Sequence, residues 1–370
     1  MIAASLPVQR PADGRLMVVD ACGDIRHADR PDLIDFLRPG DVVVANDAAT
    51  LPASLTGVHL PSGCAIEVRL AGRASLDAAD VHEFRAIVFG EGDYRTRTED
   101  RPTPPLLQAG DRLRLGPLQA EVTSVLGHPR LVALRFSGTA DEIWAGLAHH
   151  GRPIQYAHVP EPLALWDVWT RFAGPPVAFE PPSAGFTLDW KMVQAMSSRG
   201  VEFATITHAA GISSTGDTDL DRLLPFDEAY RIPHATARAI ERAGRVIAIG
   251  TTVVRALEHS GGRAGTGVAT QRIGPGTGLR VVDAIVSGTH EKGSSHYELL
   301  QAFAEDAVLE RAAAELERRG YRTHEFGDSV WVERPAGASS RPARVISRPM
   351  LRMSWSLQDA AAEPRFSWHE

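Results

Sequence analysis

Apolar strands alternate with a short helical segment at the beginning of the chain. The apolar run at residues 16–20 predicts one strand, and the run at residues 42–44 predicts another. Between them, Asp32 begins a short amphipathic segment that ends near Leu37. This alternation is typical of an α/β domain.

The pattern changes between residues 57 and 148. Short segments there alternate apolar and polar residues and are separated by Gly, Pro and Asp. Evenly spaced short strands with turn residues between them favour a small β-barrel or sandwich. The predicted strands are 65–70, 83–89, 120–125 and 131–136.

Helices and buried strands alternate again from about residue 150. Strands are predicted at residues 245–249 and 279–286. Helices are predicted at residues 253–259 and 297–319, and Gly320 closes the second helix. Strands and helices in this order are typical of βαβ units.

The simplest architecture is an α/β main domain made from both ends of the chain. We expect residues 1–57 and 149–335 to form this domain and residues 58–148 to form an inserted β-barrel domain. Residues 336–370 form a C-terminal tail, which is rich in arginine and contains tryptophan. Such a tail either touches RNA or packs on the body of the protein.

Composition narrows the functional classes. The chain is 44% hydrophobic and 23% charged, and no apolar run reaches the roughly 18 residues of a membrane span. The first ten residues lack a basic leader, so we expect a cytoplasmic protein that binds no membrane. Two cysteines are too few for a disulfide framework. A net charge of -7 argues against coating of nucleic acid by bulk charge but allows a local basic patch.

A proline-stiffened loop at residues 155–169 carries the first group of candidate functional residues. Prolines on both sides of Glu161 restrict the backbone, so the side chains are held in place, as catalysis requires. The alternative is a proline-rich connector whose aromatic side chains fill the core. The candidates on this loop are Gln155, Tyr156, His158, Glu161 and Trp166.

A strand-turn-helix junction at residues 249–258 is a candidate anion site. Gly250, Thr251 and Thr252 place backbone N–H groups and hydroxyls at the start of a helix, and Arg255 follows one turn later. A helix N-terminus of this kind favours a carboxylate or a phosphate. Junctions with a threonine cap are also common in proteins without any ligand there.

The segment after the glycine-rich run 274–278 supplies two more candidates. These glycines lack the P-loop spacing and precede a strand, which excludes a P-loop. Asp283 inside the strand and His290 past its end are better candidates, because ligands of open α/β sheets gather at the carboxyl ends of strands. A strand aspartate is also often structural. The chain has no G-x-S-x-G elbow and no histidine pair with metal-ligand spacing, so we expect neither a hydrolase triad nor a metal.

The run RPIQYAHVPEPLALWDVWT, from Arg152 to Thr170, resembles the S-adenosylmethionine:tRNA ribosyltransferase-isomerase family of queuosine biosynthesis. Further family-like stretches cover most of residues 38–332. They include Asn46-Asp47, Pro182 to Gly185, Ala248 to Glu258, and Pro275 to Ala284. The resemblance implies an α/β domain with an inserted β-barrel.

The resemblance also implies a reaction. The family moves the ribosyl part of S-adenosylmethionine onto the aminomethyl group of a 7-deazaguanine base in tRNA, which forms an epoxy-cyclopentane and releases adenine and methionine. S-adenosylmethionine is then a substrate, tRNA is a partner, and we favour a monomer. A sulfonium acidifies the carbon next to it, so a base must take a proton there, and an acid must assist the loss of adenine.

The resemblance assigns roles to the candidates. Tyr156 and Trp166 would hold the sulfonium cation, and Thr251, Thr252 and Arg255 would bind the methionine carboxylate. The catalytic candidates, for proton transfer and its orientation, are His158, Glu161, His208, Asp283 and His290. The substrate-binding candidates are Asn46, Asp47, Gln155, Tyr156, Trp166, Ser183, Ala184, Gly185, Gly250, Thr251, Thr252 and Arg255.

Several polar residues of the family are missing from this chain. Ala48-Ala49 stand where the family has Thr-Arg, and residues 186–189 lack the family's histidine. Residues 222–228 lack both histidines of the family's His-x-Met-His-x-Glu. These losses indicate an altered acceptor site and leave two alternatives open. One is S-adenosylmethionine-dependent transfer or elimination on a small metabolite without tRNA, and the other is a non-catalytic protein that binds S-adenosylmethionine.

Overall fold

The structure, a computed structural model, describes residues 1–335. The tail at residues 336–370 lies outside the described residues, together with both interpretations of it. The strands are β1 (Ile2–Ala3), β2 (Arg15–Val19), β3 (Ile25–Asp29), β4 (Val42–Asn46), β5 (Ala49–Thr50), β6 (Ser54–His59), β7 (Cys64–Gly72), β8 (Glu83–Phe89), β9 (Arg112–Leu115), β10 (Leu118–Val125), β11 (Leu131–Phe136), β12 (Pro176–Ala178), β13 (Glu202–His208), β14 (Glu228–Ile232), β15 (Val246–Ile249), β16 (Gly265–Ala269), β17 (Ala284–Gly288), β18 (Arg322–Thr323) and β19 (Ser329–Glu333).

The helices are mostly short. The α-helices are α1 (Ala140–His150), α2 (Trp190–Ser198), α3 (Thr218–Asp221), α4 (His234–Arg242), α5 (Thr251–Ser260), α6 (Ser295–Leu300) and α7 (Asp306–Arg318). The 3-10 helices are Arg30–Phe36, Thr98–Asp100, Leu165–Asp167 and Ser183–Thr187. Within residues 1–335, no helix combines the length and the apolar character that crossing a membrane requires.

Six strands of the described chain close into a β-barrel, in the order β10-β11-β8-β7-β6-β9. Neighbouring strands are antiparallel throughout. The alternating pattern of the sequence buries Val68, Phe84 and Leu134 in one apolar cluster. The predicted barrel is therefore confirmed, although the sequence pattern did not reveal strands β6 and β9.

Nine strands within residues 1–335 form one mixed sheet, in the order β16-β14-β13-β4-β15-β17-β19-β2-β3. Its four central strands, β13, β4, β15 and β17, are parallel. The sequence of β4 is continuously apolar because its side chains face an apolar cluster on each side of the sheet. Val42 and Val44 face the cluster under α4, α5 and α7, whereas Val43 and Ala45 face the cluster under α2. Both faces of the sheet are covered, as is usual for parallel strands.

Both ends of the described chain contribute strands to this sheet, and the barrel is inserted between β4 and β13. The predicted fold, an α/β main domain with an inserted β-barrel, is confirmed. The division into residues 1–57, 58–148 and 149–335 stays a prediction. Strand β6 begins at Ser54, four residues before the predicted start of the barrel domain.

The predicted boundaries of two elements near the end of the described chain are wrong. The predicted strand 279–286 is instead β17, which starts at Ala284, because the Glu258 carboxylate accepts the backbone N–H groups of residues 280–282 at 2.8 to 2.9 Å. The predicted helix 297–319 is divided into α6 and α7, and Phe303 in the interruption is buried in the core. The predicted helix 253–259 is α5, which begins two residues earlier.

Candidate active site

The carboxyl ends of the four central parallel strands meet at one edge of the sheet. Strands β4, β13, β15 and β17 end there at Asn46, His208, Ile249 and Gly288. Ligands of open α/β sheets bind at this edge. A cavity of about 890 Å³, part of it open to solvent, lies there. The predicted residues that line it are Ser183, Ala184, Gly250, Thr251, Thr252, Arg255 and His290.

The threonine-capped junction forms one wall of the cavity. Gly250 has a φ of 96°, a left-handed conformation that glycine adopts without strain, and it precedes the first turn of α5. A Cβ at this position would also lie 3.2 Å from Ala184 Cβ. Thr251 and Thr252 of this first turn line the cavity, and the first N–H groups of a helix have no partners within the helix.

Arg255 has protein partners where we predicted a substrate carboxylate. Its guanidinium forms an ion pair with Glu228. Its remaining N–H groups donate to the backbone carbonyls of Phe226, Ala269 and Gln271 at 3.1 to 3.2 Å. The side chain is 5% exposed. Arg255 therefore holds Glu228 and the cavity wall in place, and we treat it as a positioning residue.

Glu180 is a cavity carboxylate that the sequence analysis missed. It follows β12, is 8% exposed, and accepts hydrogen bonds from the Tyr156 hydroxyl and, at 3.0 Å, from the Ser213 backbone N–H. Burial raises the pKa of Glu180 to about 7, although these two hydrogen bonds act in the opposite direction. A carboxyl group that titrates near neutral pH can both accept and donate a proton. The sequence signal that could have located Glu180 is an acid directly followed by two prolines, Pro181 and Pro182, which restrict the backbone there.

The proline-stiffened loop reaches the same cavity through this contact. Tyr156 does not line the cavity, but its hydroxyl donates to Glu180, which does. His158 lies two residues further along the loop, and its Nε2 is 3.0 Å from Glu325 Oε2. Its ring stacks on the ring of His324, with 4.2 Å between the centroids. The threonine-capped helix therefore lines the cavity, whereas the loop lies behind its wall and contacts it through Glu180.

Three other predicted residues of the loop do not line the cavity. Gln155 folds the loop, since its Nε2 donates to the carbonyls of Val159 and Glu161 at 2.7 Å and its Oε1 accepts from the Leu163 N–H. Glu161 is exposed. Trp166 is 75% exposed, so it is not placed to hold a sulfonium within the cavity.

Two stacked histidines form a further part of the wall. The rings of His290 and His296 lie 4.5 Å apart, and His290 Nε2 is 2.9 Å from Ser287 Oγ. Burial lowers the pKa of His296 to about 4 and keeps the pKa of His290 well below its ordinary value. Both imidazoles are therefore neutral at neutral pH and available for hydrogen bonds. His296 was missed by the sequence analysis, although it follows His290 by only six residues.

Asn46, Asp47 and His208 stabilise the edge of the sheet behind the cavity. Asn46 exchanges hydrogen bonds of 2.9 Å with the backbone of His208, and Asp47 accepts from the hydroxyls of Thr205 and Thr207 at 2.9 and 2.7 Å. His208 is fully buried, and burial lowers its pKa to about 3. We predicted substrate contacts or proton transfer for these residues, and the structure places them in supporting positions.

Asp283 and Gly185 also lie outside the cavity lining. Asp283 precedes β17 and accepts the Val246 N–H at 2.9 Å, so it stands at the amino edge of the parallel strands, opposite the cavity. The prediction failed because the strand starts after Asp283, not before it. Gly185 is buried, and a Cβ there would lie 2.8 Å from Thr170 Cγ2. The absence of a side chain at Gly185 therefore allows close packing against Thr170 and Phe172.

One group of side chains in the described range could be considered for a metal. Donor atoms of His158, His324 and Glu325 lie within 4.8 Å of one another. However, the two imidazole planes are only 19° apart, whereas two ligands of one ion normally approach it from different directions. His158 is moreover paired with Glu325. A site without metal therefore stays our prediction.

Comparison with known proteins identifies the family. Residues 1–332 match the family described as queuosine biosynthesis protein. A relative from Rubrobacter xylanophilus is 31% identical over 88% of this chain and 93% of its own, and one from Sorangium cellulosum is 33% identical over 90% and 95%. Both are named S-adenosylmethionine:tRNA ribosyltransferase-isomerase. A crystal structure of S-adenosylmethionine tRNA ribosyltransferase from Thermotoga maritima aligns over 89% of this chain and 96% of its own, with 24% identity and a TM-score of 0.46. The chain belongs to the queuosine biosynthesis protein family.

Proposed function

We propose that this chain is an S-adenosylmethionine:tRNA ribosyltransferase-isomerase. It would transfer the ribosyl part of S-adenosylmethionine to the aminomethyl group of a 7-deazaguanine base in tRNA, in the cytoplasm, as a monomer and without a metal. Family membership and the names of the relatives support this reaction. The observation that carries it in the structure is one cavity that combines an open helix N-terminus with Glu180. Neither alternative, the small-metabolite enzyme or the non-catalytic binder, is favoured by the relatives.

The open turn of α5 is the proposed site for the methionine carboxylate. The backbone N–H groups at Thr251 and Thr252 and the positive end of the helix dipole favour an anion, and Arg255 is already occupied by Glu228. The Glu180 carboxylate, when ionised, would attract the sulfonium. The Tyr156 hydroxyl orients that carboxylate, so Tyr156 is a positioning residue in this proposal.

Glu180 is the proposed base. Its carboxylate would take a proton from the carbon next to the sulfonium, which the positive sulfur acidifies. The electron pair left on that carbon forms a carbon–carbon double bond as the ring C–O bond breaks, and the ring oxygen becomes a carbonyl oxygen as the glycosidic bond breaks. Adenine leaves with the electron pair of the glycosidic bond and takes the proton from Glu180. The acceptor amine then bonds to this unsaturated sulfonium, and the carbon–sulfur bond breaks last, so that sulfur keeps the electron pair as the neutral thioether of methionine. His290 and His296, both neutral, would hold ribose hydroxyls.

The test measures release of adenine and methionine from S-adenosylmethionine alone, with tRNA, and with small amines. We expect release only with tRNA, and Glu180→Gln should lower the rate at saturating substrate by roughly 100-fold or more, as loss of a general base does. Glu317→Gln, an exposed change on α7, is the control and should be as active as the wild type. Turnover without tRNA would favour the small-metabolite alternative, and tight binding without any product would favour the non-catalytic one.

A further inference from the structure

A smaller cleft beside the cavity has no role in the proposed reaction. Ser183, Ala184 and Gly288 line both the cavity and the cleft, so the two are neighbours. The cleft is bounded on its other side by the N-terminal segment, including Gln9, and by Arg30. Groups bound in it would therefore lie next to the proposed site of reaction.

Arg30 lines this cleft, and Arg10 directly follows Gln9 of its lining; within residues 1–335, both arginines have buried N–H groups without partners. Nε and Nη1 of Arg30 and Nη1 of Arg10 are shielded from solvent and make no hydrogen bond within residues 1–335. Arg10 uses Nη2 to reach Gln9 Oε1 at 3.0 Å. Leaving a buried donor unpaired costs roughly 1 to 3 kcal/mol, more for a charged group. These groups are therefore suited to an anionic acceptor from outside the chain.

The charge around the cleft is not balanced by its own carboxylates. Burial lowers the pKa of Arg10, and repulsion from Arg171 and Arg30 lowers it further, while Asp189 opposes the effect. The two acids that line the cleft already have partners within the protein. Glu325 is paired with His158, and Asp328 is paired with Arg15 and Arg322. Positive charge is therefore left over for a ligand.

Exposed tryptophans flank this positive charge. The Gln9 side chain donates to the carbonyls of Asp167 and Trp169 at 2.6 and 2.9 Å, so the segment that carries Arg10 runs along the loop of Trp166. Trp190 is 59% exposed and directly follows Asp189, whose charge acts on both Arg10 and Arg30. A cationic groove with exposed aromatic faces is the combination that binds single-stranded nucleic acid, because phosphates pair with arginine and unpaired bases stack on the rings.

We propose that this cleft binds the phosphodiester backbone of the RNA acceptor through Arg10 and Arg30, with Trp190 stacking on an unpaired base. The inference rests on the proposed function, since it is that function which makes RNA the acceptor. A carboxylate of the donor could satisfy the same N–H groups, but it would not explain the exposed tryptophans. The experiment therefore measures the two ligands separately.

The experiment compares full-length wild type, Arg10→Gln, Arg30→Gln and Trp190→Ala. Arg242→Gln is the matched control, because it removes one exposed arginine, paired with Glu202 at 3.1 Å, at the end of α4. Affinity for the tRNA is measured by fluorescence anisotropy over a range of salt concentrations, and affinity for S-adenosylmethionine is measured by calorimetry. Circular dichroism establishes that each variant is folded.

We expect each cleft arginine variant to bind tRNA at least tenfold more weakly, which is the lower end of the range for a hydrogen bond to a charged group. The slope of log affinity against log salt should become shallower by about 0.7 to 0.9, the effect of one lost phosphate contact. Trp190→Ala should weaken binding without changing that slope. Arg242→Gln should match the wild type, and affinity for S-adenosylmethionine should be unchanged in all variants.

Two results would overturn the inference. One is tRNA affinity and salt slope equal to the wild type in both arginine variants while tRNA-dependent turnover persists, which would leave the proposed function standing. The other is a loss of S-adenosylmethionine affinity in place of tRNA affinity, which would assign the cleft to the donor. If the wild type binds tRNA through these arginines but releases no adenine, the cleft is supported and the proposed reaction is rejected.

Discussion

Glu180→Gln should stabilise the protein above neutral pH and leave its stability almost unchanged near pH 4.5. The substitution keeps the size of the side chain, and its amide oxygen can accept the hydrogen bond from the Ser213 N–H. Its amide nitrogen can donate to the Tyr156 hydroxyl, which then donates to the Ser214 carbonyl at 3.0 Å. What it removes is a negative charge in a position that is 8% exposed. The comparison therefore isolates the free energy of ionising a buried carboxyl.

The magnitude follows from the pKa. Burial raises the pKa of Glu180 from 4.5 to about 7. Between these pH values the folded protein keeps a proton that the unfolded chain has lost, so stability falls as the pH rises through this window. The difference between the two pKa values corresponds to roughly 3 kcal/mol, and all of this destabilisation is present above pH 7.

Urea unfolding from pH 4.5 to 8 measures the effect. The free energy of unfolding of Glu180→Gln minus that of the wild type should grow toward roughly 3 kcal/mol at pH 8. Glu317→Gln, which changes an exposed acid, should follow the wild type at every pH. Parallel curves for Glu180→Gln and wild type would show that this carboxyl has an ordinary pKa, and the reasoning about burial would be refuted.

Three further predictions concern the same site. The kcat/KM for adenine release should rise about fivefold from pH 6 to pH 7 and level off above about pH 8, because the base form of Glu180 in the free enzyme is required; a flat profile would exclude it as the base. Arg255→Ala should lower the free energy of unfolding by about 3 to 5 kcal/mol, because Glu228 is left buried without its partner, whereas a loss below 1 kcal/mol would contradict the ion pair. In the wild type, burial lowers the pKa of His208 to about 3, so between pH 6.5 and pH 3 only the unfolded chain gains that proton and the free energy of unfolding falls. In His208→Asn the free energy of unfolding should fall less over this pH range. An equal fall in the variant and the wild type would contradict this.

The fold could be predicted from the sequence because its signals are local. The continuous apolar run of β4 indicates a strand with two covered faces, and the alternation in β7 and β8 indicates a barrel wall. Residues 279–283 show where such signals fail. Their apolar pattern favours a strand, but the Glu258 carboxylate from α5 captures their backbone N–H groups, which is a tertiary contact without any trace in the local pattern.

The candidate site also contains residues that the local sequence predicts and residues that it does not. The Gly250-Thr251-Thr252 junction could be located because strand, glycine and helix cap are adjacent in sequence. Glu180 and His296 reach the cavity through folding of distant segments, so spacing alone gives no information about them. Asp283 was expected inside a strand whose end reaches the cavity. The strand starts only at Ala284, so Asp283 lies at its amino end, opposite the cavity.

In the proposed reaction, the donor would set the state of Glu180 at each step. The sulfonium is a cation beside a carboxyl whose pKa lies at about 7, and a nearby opposite charge lowers a carboxyl pKa, so donor binding would favour the base form. When adenine then departs with the electron pair of the glycosidic bond, its nitrogen is a stronger base than a carboxylate, so the protonated Glu180 gives it the abstracted proton. One buried carboxyl can therefore act first as base and then as acid, because the reaction releases a stronger base between the two steps.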